Sequence, residues 1–215
     1  MNKQAKVIAR ELRDFHQSNQ LFADVQMDQL LGIPINLVEE QIPLSDILVR
    51  YGGEHRVYQS DNPYAYIRQL YQKLAPFQPK SLLDLGSEYG RLLLYGALLW
   101  DDVKFYGIEM VAERVTACQA VCQTLGLKDA IHCERGDAAR ALLPQADCIC
   151  LLNSFFPAVL KIGLENLKRH AQKQDYLLVG ISTGNLIIAK EDWLEEVPSN
   201  PPAENEPDFR FFRPR

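Results

Sequence analysis

Apolar positions along this chain change their period near residue 80. Before it, Ile8, Leu12 and Phe15 follow helical spacing, and Ile67, Leu70, Tyr71 and Leu74 stand at i, i+3, i+4 and i+7. After it, short apolar runs without polar alternation take turns with helical stretches. The spacing predicts strands at Ser81–Leu85, Lys104–Ile108, Ala130–Cys133, Cys148–Leu152 and Tyr176–Ile181. Between them it predicts helices at Arg91–Trp100, Val111–Leu125, Ala138–Leu143 and Ala158–His170, the second stopped by Gly126. Unalternated strands are buried on both faces, which implies a parallel sheet with helices on each side. Trp193–Val197 and Phe209–Phe212 then read as two strands of a hairpin, joined by the proline-, asparagine- and glutamate-rich stretch Pro198–Pro207.

The expected fold is therefore α/β: a doubly wound, mostly parallel sheet with a C-terminal antiparallel hairpin and an N-terminal helical segment. The boundary is placed between residues 1–60, a leading helical cap suited to selecting a substrate, and 61–215, the sheet domain. Within the cap, Gly32, Pro34 and Pro43 break the chain, and Ser45 is expected to cap a short helix closed by Gly52 and Gly53. Asp61-Asn62-Pro63 reads as the N-cap and first turn of the next helix, ended by Pro76 and Pro79.

Length and charge narrow the partners. A chain of 215 residues buries one substantial core, not two. A net charge of −5 and a pI near 5.4 argue against a general nucleic-acid or anionic-membrane binder and favour a protein or small-molecule partner. No apolar run approaches the roughly 18 residues of a membrane span. The charges at Lys3, Lys6, Arg10, Glu11, Arg13 and Asp14 interrupt any signal-like apolar stretch, so the expected location is cytoplasmic. Cys118, Cys122, Cys133, Cys148 and Cys150 form no zinc spacing with His16, His55, His132 or His170; they read as small buried apolar residues, and no metal is expected.

Candidate chemistry collects where the strands end. Asp84 closes the first, Glu109 the second, Asp137 follows the third and Asn153 the fourth. Parallel strands point one way, so all four fall along one edge, where ligands bind in open α/β sheets. Glu109 suits a pair of vicinal ribose hydroxyls, against a merely solvated carboxylate. Asp137 suits an exocyclic amine, against capping the helix expected at Ala138. Asp84 suits a cationic group or the orientation of the adjoining turn, and Asn153 offers both a donor and an acceptor to a reacting group.

The turn Gly86-Ser87-Glu88-Tyr89-Gly90 lacks the spacing and central glycine of the dinucleotide fingerprint, and no phosphate-loop lysine follows. Its acidity disfavours pyrophosphate and nicotinamide cofactors and tolerates a phosphate-free cationic one such as S-adenosylmethionine. Leu83-Asp84-Leu85-Gly86-Ser87-x-x-Gly90-Arg91, Tyr106-Gly107-Ile108-Glu109, Gly136-Asp137-Ala138 and Asn153-Ser154-Phe155-Phe156-Pro157 together resemble the class I S-adenosylmethionine-dependent methyltransferases, over roughly residues 60 to 182. The motifs are similar to those of the disruptor-of-silencing-type branch and of small bacterial methyltransferases. The resemblance implies a Rossmann-like fold and methyl transfer to a protein or small-molecule acceptor. It implies that Asp84, Gly86 and Gly90 shape the methionine end of the pocket, with Glu109 on the ribose and Asp137 on the adenine. Asn153 would lie beside the transferred methyl, and Tyr64 would close over the cofactor. Glu88 departs from the pattern, standing where the family has glycine; with φ > 0 it would strain the turn and narrow the pocket. That departure, and the lack of an assignable base among His16, His55, Tyr51 and Tyr58, keeps open a non-catalytic adenosyl-binding or scaffold protein of the same fold.

Overall fold

The computed structural model describes residues 1–18, 23–42, 62–199 and 206–215. The expectations for Pro43, Ser45–Val49, Tyr51, Gly52, Gly53, His55, Tyr58 and Asp61 lie outside these residues.

Seven strands form one sheet: β1 (Ser81–Leu85), β2 (Lys104–Glu109), β3 (Ile131–Arg135), β4 (Cys148–Leu151), β5 (Leu177–Ile181), β6 (Leu194–Val197) and β7 (Phe209–Pro214). Their spatial order is β3-β2-β1-β4-β5-β7-β6. The first five are parallel, while β7 runs antiparallel between β5 and β6. β4 and β5 are buried at every position, as the unalternated apolar runs require. The order reverses direction between β1 and β4, so the crevice outside their carboxyl ends is the topological switch point.

Two apolar layers cover the sheet. One face packs Leu82, Phe105, Cys150 and Val179 against α4 (Tyr64–Leu74), α5 (Arg91–Leu99) and α6 (Ala112–Leu125). The other packs Leu83, Ile149 and Leu178 against α7 (Pro157–Ala171) and α8 (Gly184–Ile188). α7 starts with Pro157 in the first turn, where its missing N–H costs nothing, and ends with Lys168, Arg169 and His170 against the negative end of the helix dipole.

The leading segment carries α1 (Lys3–Gln17), α2 (Asp24–Leu31) and α3 (Ile35–Glu39). Asn2 caps α1, its Oδ1 accepting from Ala5 N at 2.9 Å. The apolar face Ala5, Ile8, Ala9, Leu12 and Phe15 packs against α5 and joins the same core as the sheet.

Two local expectations are corrected, and one helix was not expected. Residues 138–143 form a turn and extended chain, not a helix: Asp137 Oδ1 accepts from Ala139 N, and Pro144 disfavours helical backbone at Leu143. Asn62 does not cap α4; its side chain donates to Leu152 O at 3.0 Å, while Tyr64 N donates to Asp24 Oδ1 at 2.8 Å from α2. Finally, α8 has no counterpart in the sequence reading, because five residues are too few to show a helical period.

Candidate active site

The link from β1 to α5 is a tight turn held from below by β2. Gly86 N and Ser87 N both donate to Ile108 O, at 2.8 and 3.2 Å, and Gly90 N donates to Ser87 O at 2.7 Å. Three residues of the turn have left-handed backbone: Gly86 (φ 80°), Glu88 (φ 48°) and Gly90 (φ 75°). Glu88 is thus strained, at a cost of roughly 1–2 kcal/mol relative to an ordinary backbone. A side chain at Gly86 has no room, since its Cβ would lie 2.7 Å from Ser154 Cβ. The glycine turn and the segment after β4 are therefore in direct contact.

Three carboxylates meet at this turn. Asp84 is 6% exposed, and none of the described residues donates a hydrogen bond to its carboxylate. Burial, then the charges of Glu88 and Glu109, push its pKa well above the usual carboxylate range. Glu109 is also buried; Oε2 accepts from Glu88 N at 3.0 Å and Oε1 from Val111 N at 2.9 Å, which fixes the carboxylate at the mouth of the turn. Each oxygen keeps a second lone pair for a ligand. Asp84, Gly86, Ser87, Glu88, Arg91 and Asn62 line one cleft together with Ile67, Leu92 and Leu152.

Asn153 lies past the end of β4 with φ 58°, a backbone that asparagine tolerates better than most residues. It is exposed and lines a second cavity of about 220 Å³ with Ser154, Phe155, Phe156, Ile181 and Thr183. Among the described residues no charged side chain lines that cavity. Ser154 Oγ is buried there without a hydrogen-bond partner. Ser154 sits between the two spaces, touching Gly86 of the first and lining the second.

Of the other predicted site residues, Gly90 and Glu109 adjoin the first cleft without lining it, and Tyr64 is turned away from it. Tyr64 is fully buried, and its hydroxyl donates to Asp28 Oδ1 at 2.8 Å; it does not line the cleft, because α2 takes its polar end. Asp137 closes a turn rather than capping a helix: Oδ1 accepts from Ala139 N at 3.0 Å and Oδ2 from Arg140 Nη1 at 2.6 Å, and as in Glu109 each oxygen keeps a second lone pair. His16 is held by Tyr95, Nδ1 to hydroxyl 2.9 Å, on the α1–α5 packing face. Among the described residues no cluster of three His, Cys, Asp or Glu is arranged for a metal ion.

Sequence reasoning missed four charged residues that surround the turn: Asp28, Glu39, Arg91 and Arg114. Arg91 donates from Nε to Asp28 Oδ1 at 2.9 Å and also pairs through Nη2. Arg114 donates to both oxygens of Glu39, at 2.8 and 3.2 Å. The one local hint was Arg114 itself, a charge on the apolar face of α6 beside Val115 and Cys118.

No family model matches the sequence, and no protein of curated function matches it. Solved structures do match, and they share its fold. A SAM-dependent methyltransferase from Aquifex aeolicus is 20% identical with a TM-score of 0.55, covering 73% of this chain and 100% of its own. The m1A22 tRNA methyltransferase TrmK of Bacillus subtilis is 16% identical with a TM-score of 0.52, covering 66% and 64%. StiE O-MT is 18% identical with a TM-score of 0.50, covering 62% and 52%. The strand order, the antiparallel β7 and the glycine turn after β1 coincide in one architecture. This is the class I methyltransferase fold. The chain spans about half of StiE O-MT and about two thirds of TrmK. One of these folds belongs to a tRNA methyltransferase, so the acidic net charge does not by itself remove nucleic acid from the acceptors this fold can serve. Among the described residues no helix is long and apolar enough to cross a membrane.

Proposed function

We propose that this chain is an S-adenosylmethionine-dependent methyltransferase. The observation that carries the reading is Asp84, a buried carboxylate to which none of the described residues donates, beside a glycine turn at the switch point. Such a group is costly unless a cation answers it, and the turn admits close approach of a ligand backbone. The residues present fit the cofactor. Asp84 would face its cationic end, Gly86 and Gly90 would shape the methionine end, and Glu109 would take the ribose hydroxyls. When bound, the cofactor supplies an electrophilic methyl carbon on a sulfonium. The chain's part is to position and dehydrate: it holds the acceptor beside Asn153 and excludes water with Phe155 and Phe156. Among the described residues none that lines the cavity beside Asn153 is charged, which favours an uncharged acceptor group, and the amide of Asn153 would orient it by one donor and one acceptor bond. Asp137 would take an adenine amine on the lone pairs that Ala139 and Arg140 leave.

Calorimetry on the purified chain tests this. S-adenosylmethionine and S-adenosylhomocysteine are expected to bind at micromolar concentration, NAD not at all, and Glu109→Ala to weaken both by at least tenfold. Absence of binding at millimolar ligand would sink the reading. Radiolabelled methyl transfer to separated protein, RNA and small-molecule fractions then assigns the acceptor. Product binding with no transfer to any of them would instead support the non-catalytic reading, for which the strained Glu88 is the specific motive.

Glu88→Gly separates strain from use. It relieves roughly 1–2 kcal/mol of left-handed backbone strain, and the greater freedom of glycine in the unfolded chain returns about 0.5–1 of that. A net gain of between zero and about 1.5 kcal/mol is expected in urea unfolding. Tighter S-adenosylhomocysteine binding would mark Glu88 as strain alone, and weaker binding would mark its carboxylate as a ligand.

A further inference from the structure

We infer that Glu39 is a positioning residue for the cofactor site: by taking up the buried Arg114 guanidinium, it leaves the Glu109 carboxylate free for a ligand. This rests on the methyltransferase reading above.

Arg114 stands in the first turns of α6, five residues after Glu109, and is fully buried. A cation in that position must be paired. Glu39, at the end of α3, pairs it with both oxygens, from Nε at 2.8 Å and Nη2 at 3.2 Å. Glu39 Oε1 also accepts from the hydroxyl of Tyr89 at 2.7 Å, and the Arg114 guanidinium lies 5.8 Å from the Tyr89 ring centre. Tyr89 is a residue of the glycine turn itself. One carboxylate from the leading segment thus ties together α3, the turn and α6.

The pairing is electrically coupled to the site. Burial opposes the charge on Arg114, but the bonds from Glu39 and the charges of Glu109, Glu39 and Glu88 hold it firmly protonated. Burial likewise opposes the Glu39 carboxylate, and the bonds from Arg114 and Tyr89 outweigh that and keep its pKa below the ordinary value. Among the described residues Arg114 Nη1 has no hydrogen-bond partner. With Glu39 neutralised, the negative charges that still act on Arg114 are those of Glu109 and Glu88. Arg114 then turns to Glu109 and occupies the lone pairs that a ribose diol needs.

The test reads S-adenosylhomocysteine affinity by calorimetry, with thermal unfolding alongside. Glu39→Gln keeps the shape and removes the charge; it is expected to weaken binding about tenfold. Adding Arg114→Met removes the competing cation, and the double variant is expected to bind within threefold of wild type. A merely structural role for the pair predicts the opposite order, with the double variant at least as weak as the single. If Glu39→Gln binds within twofold of wild type, or if the double variant stays weak, the inference falls while the methyltransferase reading stands. If Glu39→Gln does not fold, the double variant still decides by the same threefold criterion. Wild-type protein that fails to bind overturns both at once, which distinguishes that failure from failure of the positioning role alone.

Discussion

Asp84→Asn is expected to make the protein more stable at neutral pH and at least tenfold weaker for S-adenosylmethionine. The carboxylate is buried, none of the described residues donates to it, and its pKa is raised first by burial and then by Glu88 and Glu109. The folded state therefore holds a proton at pH values where the unfolded chain, with a carboxylate pKa near 3.9, has lost it. Stability from this group is fully present below that unfolded value and is lost as pH rises through the raised one. Asparagine cannot ionise, so the loss disappears and the stability–pH curve flattens over that window. Binding runs the other way. A cationic ligand favours the ionised form, so it expels the proton, and affinity rises with pH until the raised pKa is passed. Two opposite charges about 4 Å apart at an effective dielectric near 20 attract by about 4 kcal/mol, so a tenfold loss, about 1.4 kcal/mol, is a modest expectation after desolvation. Calorimetry in two buffers of different ionisation enthalpy counts the released proton. S-adenosylhomocysteine, lacking the sulfonium, should release less. Unchanged affinity in Asp84→Asn would remove the cation-binding role.

What the sequence disclosed follows from where each piece of information resides. β1, β4 and β5 were legible because strands buried on both faces leave no polar alternation, and that is written in consecutive residues. α5 and α6 were legible because Gly90 and Gly126 mark their ends with left-handed backbone. The β6–β7 hairpin followed from two apolar runs around a proline-rich stretch. The helix expected at 138–143 failed because one polar cap and a following proline allow only a turn there. α2, α3 and α8, with eight, five and five residues, are too short for a period to register.

The site divides the same way. Positions right after strands could be named, since the sheet sets their common edge: Asp84, Glu109 and Asn153 lie along it. Side-chain partners could not be named. Tyr64 reads as a free aromatic near the site, yet Asp28, thirty-six residues earlier, claims its hydroxyl. Glu39 and Arg114 lie seventy-five residues apart, and no local pattern pairs them. Long-range ion pairs depend on how helices stack, which residue spacing within one helix does not encode.

Gly86→Ala is expected to destabilise the protein by about 2–5 kcal/mol and to abolish cofactor and acceptor binding together. The backbone φ of 80° adds roughly 1–2 kcal/mol for any side chain. The new Cβ would also lie 2.7 Å from Ser154 Cβ, an overpacking that typically costs 1–3 kcal/mol. The turn cannot yield, because Gly86 N and Ser87 N are both anchored on Ile108 O, so opening it would tear β1 from β2. The strain must pass to the segment after β4, which carries Ser154 and Asn153 at the mouth of the second cavity. Gly184→Ala is the matched control: its Cβ would meet nothing nearer than Leu160 Cδ2 at 4.0 Å, and less than about 1 kcal/mol is expected. Urea unfolding and S-adenosylhomocysteine calorimetry on both variants check the contrast. If Gly86→Ala unfolds and binds like Gly184→Ala, the contact between turn and acceptor segment does not hold the two halves of the site in register. If instead both functions fail at once while the fold survives, one glycine sets the spacing between the methyl donor's cleft and the cavity that faces it.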